Sequence, residues 1–472
     1  MRTAISLALV LLMAGPRRAT AYSLLTHEQL IDLTWDDSIV PLLLSRYPGL
    51  TQAQLDEARA YAYGGCVIQD IGYYPFGDPS FSDLTHYVRA GDFVVNLFRN
   101  AKNADEMAFA IGALSHYIGD SVGHSLATNL AVPVAFPKLR KRYGNSVSYG
   151  EGEHQHVQVE FGFDIDEISH HHMAPLHYLR HIGLKVPVKQ LALAYYQTYG
   201  LTNDFAGPRR RFNVREYRFA TRTFIPRIAY ADTLLHRRHE PPEPDTPEAA
   251  AIAKEIDEVS THDDWQIYRR KAGIGTYMLA GLAFILPKIG PLQLLAVKNP
   301  TPATDAEYMH SLAVSLAALR RDLARFTPPA ARRAHAGTAA INKVVKSAEI
   351  PPKTLARGPI APRRPPDGRH PLPNLDLDTG KVVQPGGYRL TDVTYARLLH
   401  RLVRDSSHKI PPGIKQDVVA YYANPEAPIT TKKNAKKWAR VQADLATLAK
   451  MPTSTALEPY PTYGDDAAAG TQ

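Results

Sequence analysis

DEMAFAIGALSHYIGDSVGHSL, residues Asp105–Leu126, reads as one helix with three metal-type donors, His116, Asp120 and His124, at i, i+4 and i+8. Four residues advance a helix by about 400°, so each donor stands one turn above the last and drifts only about 40° around the axis. All three can therefore face one site. Met107, Phe109, Ala110, Ile111, Ala113, Leu114, Ile118 and Val122 make this a buried helix. An interior imidazole or carboxylate has to be hydrogen bonded or bound to metal. A lone buried histidine is more often a hydrogen-bonded core residue than a ligand, but Asp120 between two histidines on the same stripe favours metal. HxxxD is less specific than HExxH, and zinc needs further ligands.

Those donors have to come from His, Asp, Glu and backbone or terminal groups, because Cys66 is the only cysteine of the 472 residues. An intramolecular disulfide, a thiolate cluster and an iron–sulfur site are excluded, while the available set suits zinc and is open to iron or manganese. Upstream, Thr26 is positioned to cap a helix running from His27 toward Ser45, with Pro41 bending or dividing it. Thr51–Tyr63 reads as a second helix. Asp70 precedes Gly72 at a turn near the core, and His86 is expected in the first turn of a helix over Leu84–Phe98. Asp78, Asp83 and Asp92 read as turn, capping or surface groups.

Downstream, Ala127–Lys141 contains two prolines and reads as a loop with short turns. In YGEGEHQHVQVEFG, His156 and Glu160 form a second i, i+4 pair if helical. A strand would instead put His154, His156, Gln158 and Glu160 on one face; both readings let His156 and Glu160 converge. His154 is a candidate for supporting a ligand without binding metal itself. The run His170–His172 has spacings poor for a single site and reads as surface or loop. Further helices are expected over Val188–Tyr199, Tyr217–Arg237, Ala249–Arg270 and Thr304–Phe326. Gly273–Leu286 fits either a buried helix or an interfacial apolar lip better than a membrane span.

Arg2, the apolar run Ala4–Met13 and the small-x-small sequence Ala19-Thr20-Ala21 predict a signal peptide over residues 1–21. Cleavage would place the protein outside the cytoplasm, secreted or periplasmic, with a new α-amine on Tyr22 close to His27. The net charge of +9 becomes +6, because loss of Arg2, Arg17 and Arg18 leaves 52 of 55 basic residues against 46 acidic ones. That excess favours anionic lipid or polynucleotide without choosing between them. With 37 prolines, Pro/Ala/Arg-rich stretches at Thr327–His335 and Pro351–Pro373 read as a linker or extended arm. The expected organisation is a catalytic domain over 22–326, a Pro-rich arm over 327–380 and a small helical interaction module over 381–472. Helices there are expected at Asp392–Arg404, Gly413–Tyr422 and Lys432–Lys450.

YSLLTH from Tyr22, VIQDIGYYPFG from Val67, SDLTHYVRAGD from Ser82, GALSHYIGDSVGHS from Gly112 and EHQHVQVEFGFD from Glu153 together resemble the bacterial zinc-dependent phospholipase C family. That family is related in fold to zinc-dependent single-strand nucleases. The resemblance covers about Tyr22–Asp166. It implies a mainly α, multi-helix fold, three zinc ions and phosphodiester hydrolysis. Asp70, His86, His116 and Asp120 would hold one zinc; His124, His156 and Glu160 a second. The Tyr22 amine and carbonyl, His27 and the other Asp120 oxygen would hold the third. Asp70 would also act as the catalytic base. Phospholipid headgroup esters at a membrane surface are the expected substrates. Single-stranded nucleic acid is the alternative, with Tyr73, Tyr74 and Phe76 as a stacking surface; a metal-stabilised binding protein without catalysis is a third reading.

Overall fold

The computed structural model describes residues 24–73, 77–170, 172, 184–202, 205, 245–259, 298–325, 327, 371–404 and 410–453. Several expectations lie outside them: the signal peptide and Tyr22, Tyr74, Phe76, His171, the helix Tyr217–Arg237, the far half of Ala249–Arg270, Gly273–Leu286 and most of the Pro-rich arm. Among the described residues no helix is long and apolar enough to cross a membrane.

The chain folds as helices around a central one. In order come α1 (Leu24–Thr34), a π-helical turn Trp35–Ile39, α2 (Val40–Arg46), α3 (Gln52–Gly65) and a 3-10 turn Ile68–Gly72. Next are α4 (Pro79–Tyr87), α5 (Ala90–Arg99), α6 (Ala104–Gly123), a π-helical turn His124–Thr128, α7 (Asn129–Ala135), α8 (Pro137–Tyr143) and α9 (Glu153–Ser169). The remainder is α10 (Val188–Tyr199), α11 (Pro247–Val259), α12 (Pro302–Ala324), a hairpin of β1 (Leu375–Asp376) and β2 (Lys381–Val382), then α13 (Arg389–Arg404), α14 (Pro412–Tyr421) and α15 (Ala435–Lys450). In the antiparallel hairpin, Leu375 pairs with Val382 and Asp376 with Lys381.

Helix α6 is the axis, packed against α3, α5 and α12. Asn103 caps it by accepting from the Glu106 N–H, and Asp105 and Glu106 face the positive end of its dipole. Its contact with α3 depends on small residues. A Cβ built on Gly112 would lie 2.1 Å from the Ala62 carbonyl oxygen, and one on Gly65 would lie 2.1 Å from that of Phe109. Gly112→Ala is expected to force the two helices apart and cost about 1–3 kcal/mol or more. Chemical denaturation of Gly112→Ala beside wild type checks this; an unchanged midpoint would show that the helices adjust freely.

Several local expectations give way to packing. Helix α1 already includes Leu24 and Leu25, so Thr26 lies inside it instead of capping it. The Asp164 carboxylate, reaching over from α9, accepts from the Leu25 and Thr26 N–H groups at 3.1 and 3.2 Å and from the Thr26 hydroxyl at 2.7 Å. The helix is interrupted at the π-helical turn before Pro41, where Asp37 accepts from the buried Arg320 at 2.8 Å.

His86 sits in the last turn of α4, because Asp78 and Pro79 start that helix and the chain breaks at Val88–Arg89. Arg89 takes a left-handed conformation, φ 51°, and its guanidinium holds Asp92 at 2.7 Å and the Thr198 carbonyl at 3.0 Å. Asp83 and Asp92 are thus buried groups; Asp83 pairs with Arg397 at 2.7 Å.

Residues 127–141 are helical, with Pro133 inside α7, so the expected loop is replaced by α7 and α8. His156 and Glu160 lie on α9, which removes the strand alternative. His172 is buried, its carbonyl accepting from Gln29 at 2.6 Å, and does not form a surface run.

The end of the expected Pro-rich arm and part of the expected C-terminal module share the main core. Leu375, Leu377, Leu390, Tyr395, Leu398 and Leu399 belong to the same apolar cluster as Phe81, Phe93, Phe109 and Tyr117 of α4, α5 and α6.

Candidate metal centre

Four elements bring five residues to one buried point. Helix α1 brings His27, the 3-10 turn Asp70, α4 His86, and α6 both His116 and Asp120; each is at most 3% exposed. His86 Nε2 lies 3.2 Å from Asp70 Oδ1, 3.2 Å from Asp120 Oδ2 and 3.3 Å from His116 Nε2. His116 Nε2 lies 3.1 Å from Asp120 Oδ2 and 3.5 Å from Asp70 Oδ1. A tetrahedron with zinc–ligand lengths of about 2.0–2.1 Å has edges of about 3.3–3.4 Å. Five of the six distances among these four donor atoms are thus close to such an edge, and the four residues can offer ligand atoms all within 4.8 Å of one another. The second Asp120 oxygen points elsewhere, 3.1 Å from His27 Nε2.

His124, His156 and Glu160 form a second, looser cluster. Glu160 Oε1 is 3.8 Å from His124 Nε2 and 3.7 Å from His156 Nδ1. His124 stands on the stripe predicted for α6 but belongs to this second group. The π-helical turn begins at that residue.

The outer nitrogens explain how the imidazoles are aimed. His86 Nδ1 donates to the Ser82 carbonyl at 2.7 Å, His116 Nδ1 to that of Cys66 at 2.9 Å and His124 Nδ1 to that of Leu377 at 3.0 Å. His156 Nε2 donates to the Val147 carbonyl at 2.6 Å. A carbonyl only accepts, so each of these nitrogens carries its hydrogen and the other presents its lone pair to the cluster when the ring is neutral. Facing lone pairs and carboxylates in a dry interior need a cation.

Electrostatics show the same demand. Burial disfavours a charged His86, yet the carboxylates of Asp120 and Asp70 beside it hold its pKa well above the usual range. Burial would raise Asp120, but His116, His27 and His86 pull it well below the usual carboxylate range. Burial and the neighbouring His116 lower His27. For His124, burial is outweighed by Glu160 and Asp378, which raise it to about 9. The residues fit a divalent metal on a second count as well. Both Asp120 carboxylate oxygens, His124 Nε2, His156 Nδ1 and Glu160 Oε1 are buried and make no hydrogen bond.

Residues 26–202 match the family model described as zinc dependent phospholipase C. This stretch is therefore similar to a zinc dependent phospholipase C domain. That segment contains His27 and every residue of both clusters. Comparison with curated proteins finds no match, and neither does comparison with solved structures. The phospholipase C domain and its two donor clusters are consistent with a zinc-dependent phosphodiesterase.

Two expected contributors stand apart. His154 is exposed on α9 and belongs to neither donor cluster. Tyr22 lies outside the described residues. Conversely, the turn Asn374–Gly380, which carries no donor motif, stands at the second cluster: it supplies the Leu377 carbonyl to His124 and brings Asp378 against the same ring. Its only sequence signal is the alternation NLDLDTG, which predicts a tight acidic turn but no neighbour 253 residues away.

Proposed function

We propose that the domain hydrolyses phospholipid headgroup phosphodiesters with three zinc ions. The observation that carries this reading is the close buried set of Asp70 Oδ1, His86 Nε2, His116 Nε2 and Asp120 Oδ2, from which Asp120 extends its other oxygen to His27. Asp70, His86, His116 and Asp120 would hold one ion, and His124, His156 and Glu160 the second. His27, the second Asp120 oxygen and the Tyr22 terminus would hold the third after removal of residues 1–21 and export. Zinc supplies Lewis acidity there, polarising a phosphoryl group and acidifying a water molecule.

The protein's own groups do the rest. Asp70 orients the attacking water and accepts its proton, Asp120 ties two ion sites together, and the backbone carbonyls on the outer nitrogens keep the imidazoles in the ligating tautomer. Phospholipid is favoured by the family and by the apolar stretch Gly273–Leu286. A base-stacking surface loses support at Tyr73, which is buried with its hydroxyl 3.3 Å from Asp83. Turnover of phospholipid in mixed micelles, without cleavage of a single-stranded oligonucleotide, is the expected result. The reverse pattern would make the domain a nuclease, and bound zinc without turnover of either would make it a binding protein.

Zinc uptake should release protons. With His124 raised to about 9, its ring is protonated at pH 7, and a metal has to displace that proton. Affinity at the second cluster should rise about tenfold per pH unit up to about pH 9. The sign for metal-free stability is opposite. A pKa raised above the unfolded value of about 6.5 adds stability below that pH, and the gain fades as pH climbs to about 9. Thermal melts from pH 6 to 9 should show the metal-free midpoint falling while the increment from added zinc grows. A zinc increment independent of pH would contradict the proton displacement.

A further inference from the structure

The turn that closes on the second cluster is built to hold one imidazole. Asp378 is 2% exposed. Its Oδ2 accepts from the hydroxyl of Tyr388 at 2.6 Å and from that of Tyr87 at 3.0 Å. Its Oδ1 lies 3.7 Å from His124 Nδ1, beside the Leu377 carbonyl that takes the hydrogen on that nitrogen. A carboxylate against the outer N–H of an imidazole fixes the ring's tautomer and makes its inner nitrogen a stronger donor.

The same turn reaches the other imidazole through two further bonds. The Asp378 carbonyl accepts from Asn129 Nδ2 at 2.8 Å, and the Asn129 carbonyl accepts from the Val147 N–H at 2.9 Å. Val147 in turn accepts from His156 Nε2. The Leu377 N–H donates to the His86 carbonyl at 3.1 Å, which ties the turn to the first cluster as well. Gly380 permits the close approach: its φ is +65°, and a Cβ there would lie 2.3 Å from the Ser121 carbonyl oxygen on α6.

We propose that Asp378 is a positioning residue for the second metal pocket, so that a turn outside residues 26–202 completes the zinc centre of the domain within them. Two tyrosines immobilise one carboxylate oxygen, and the other faces the outer edge of the His124 ring while Nε2 is aimed at Glu160. The inference rests on the reading of His124, His156 and Glu160 as zinc ligands, and the test separates the two.

The full chain, metal-free and then titrated with zinc against a competing chelator, should lose about 10–100-fold in affinity at one class of site when Asp378→Asn is introduced, with the other sites unchanged. Tyr388→Phe, which removes one of the two bonds that hold the carboxylate, should move the same site in the same direction by less. Cobalt(II) loading supplies a readout that a merely structural role would not move: the visible absorption of one site should shift in both variants. Wild-type protein that binds no zinc would overturn the ligand reading itself. Zinc-binding wild type with unchanged affinity and cobalt spectrum in Asp378→Asn would overturn the role of Asp378 alone. If Asp378→Asn fails to fold, as judged by near-ultraviolet circular dichroism, folded Tyr388→Phe decides by the same two measurements.

Discussion

Asp120→Asn is expected to strip zinc from two sites at once and reduce phosphodiester turnover by about 10³-fold or more, the scale of losing preorganised charge stabilisation at a reacting phosphoryl group. Its two carboxylate oxygens face opposite ways, Oδ2 between His86 and His116 and Oδ1 toward His27. An amide offers one neutral oxygen and turns a donor NH₂ on the other side, against an imidazole nitrogen. Removing one partner from a buried charged set also costs about 3–5 kcal/mol, so metal-free protein should melt earlier. Zinc content per chain, the melting midpoint and turnover measured on one preparation check the prediction. Retention of full zinc content would show that Asp120 does not join two sites.

Asp70→Asn should separate chemistry from metal holding. Asp70 reaches His86 and His116 through Oδ1, at the edge of a set that keeps two imidazoles and Asp120 without it. Loss of its basicity should lower turnover by about 10²–10⁴-fold, as for other general bases, while most of the zinc stays bound. Preserved turnover at full zinc content would remove the base from Asp70. Loss of zinc in parallel with turnover would reduce its role to that of a ligand.

The two variants bear on donors of different legibility. His116 and Asp120 were readable because helix periodicity is local, and α6 places them together whatever surrounds it. His156 and Glu160 needed only the choice of helix over strand, and α9 makes that choice. His86 was readable as a donor but not in its place: Asp78 and Pro79 begin α4 early, and left-handed Arg89 ends the run that periodicity would have continued into α5. The α7–α8 segment shows the converse, where Pro133 looked like a loop signal but is tolerated inside a short buried helix.

What the sequence by itself determined was the inventory of the centre: a buried helix with donors on one stripe, a second i, i+4 pair, and no thiolate to compete with His, Asp and Glu. The resemblance implied how those donors divide, and the tertiary structure gives the physical reason. His124 shares a helical stripe with Asp120, yet a drift of about 40° per turn and the π-helical turn deliver it to a different cluster. Packing also decided that a turn near residue 378 would stand behind His124. Spacing along a helix carries information over a few turns. Contact between residues about 250 positions apart arises only when α4, α5 and α6 bury their apolar faces against the C-terminal chain and bring that turn over the metal centre.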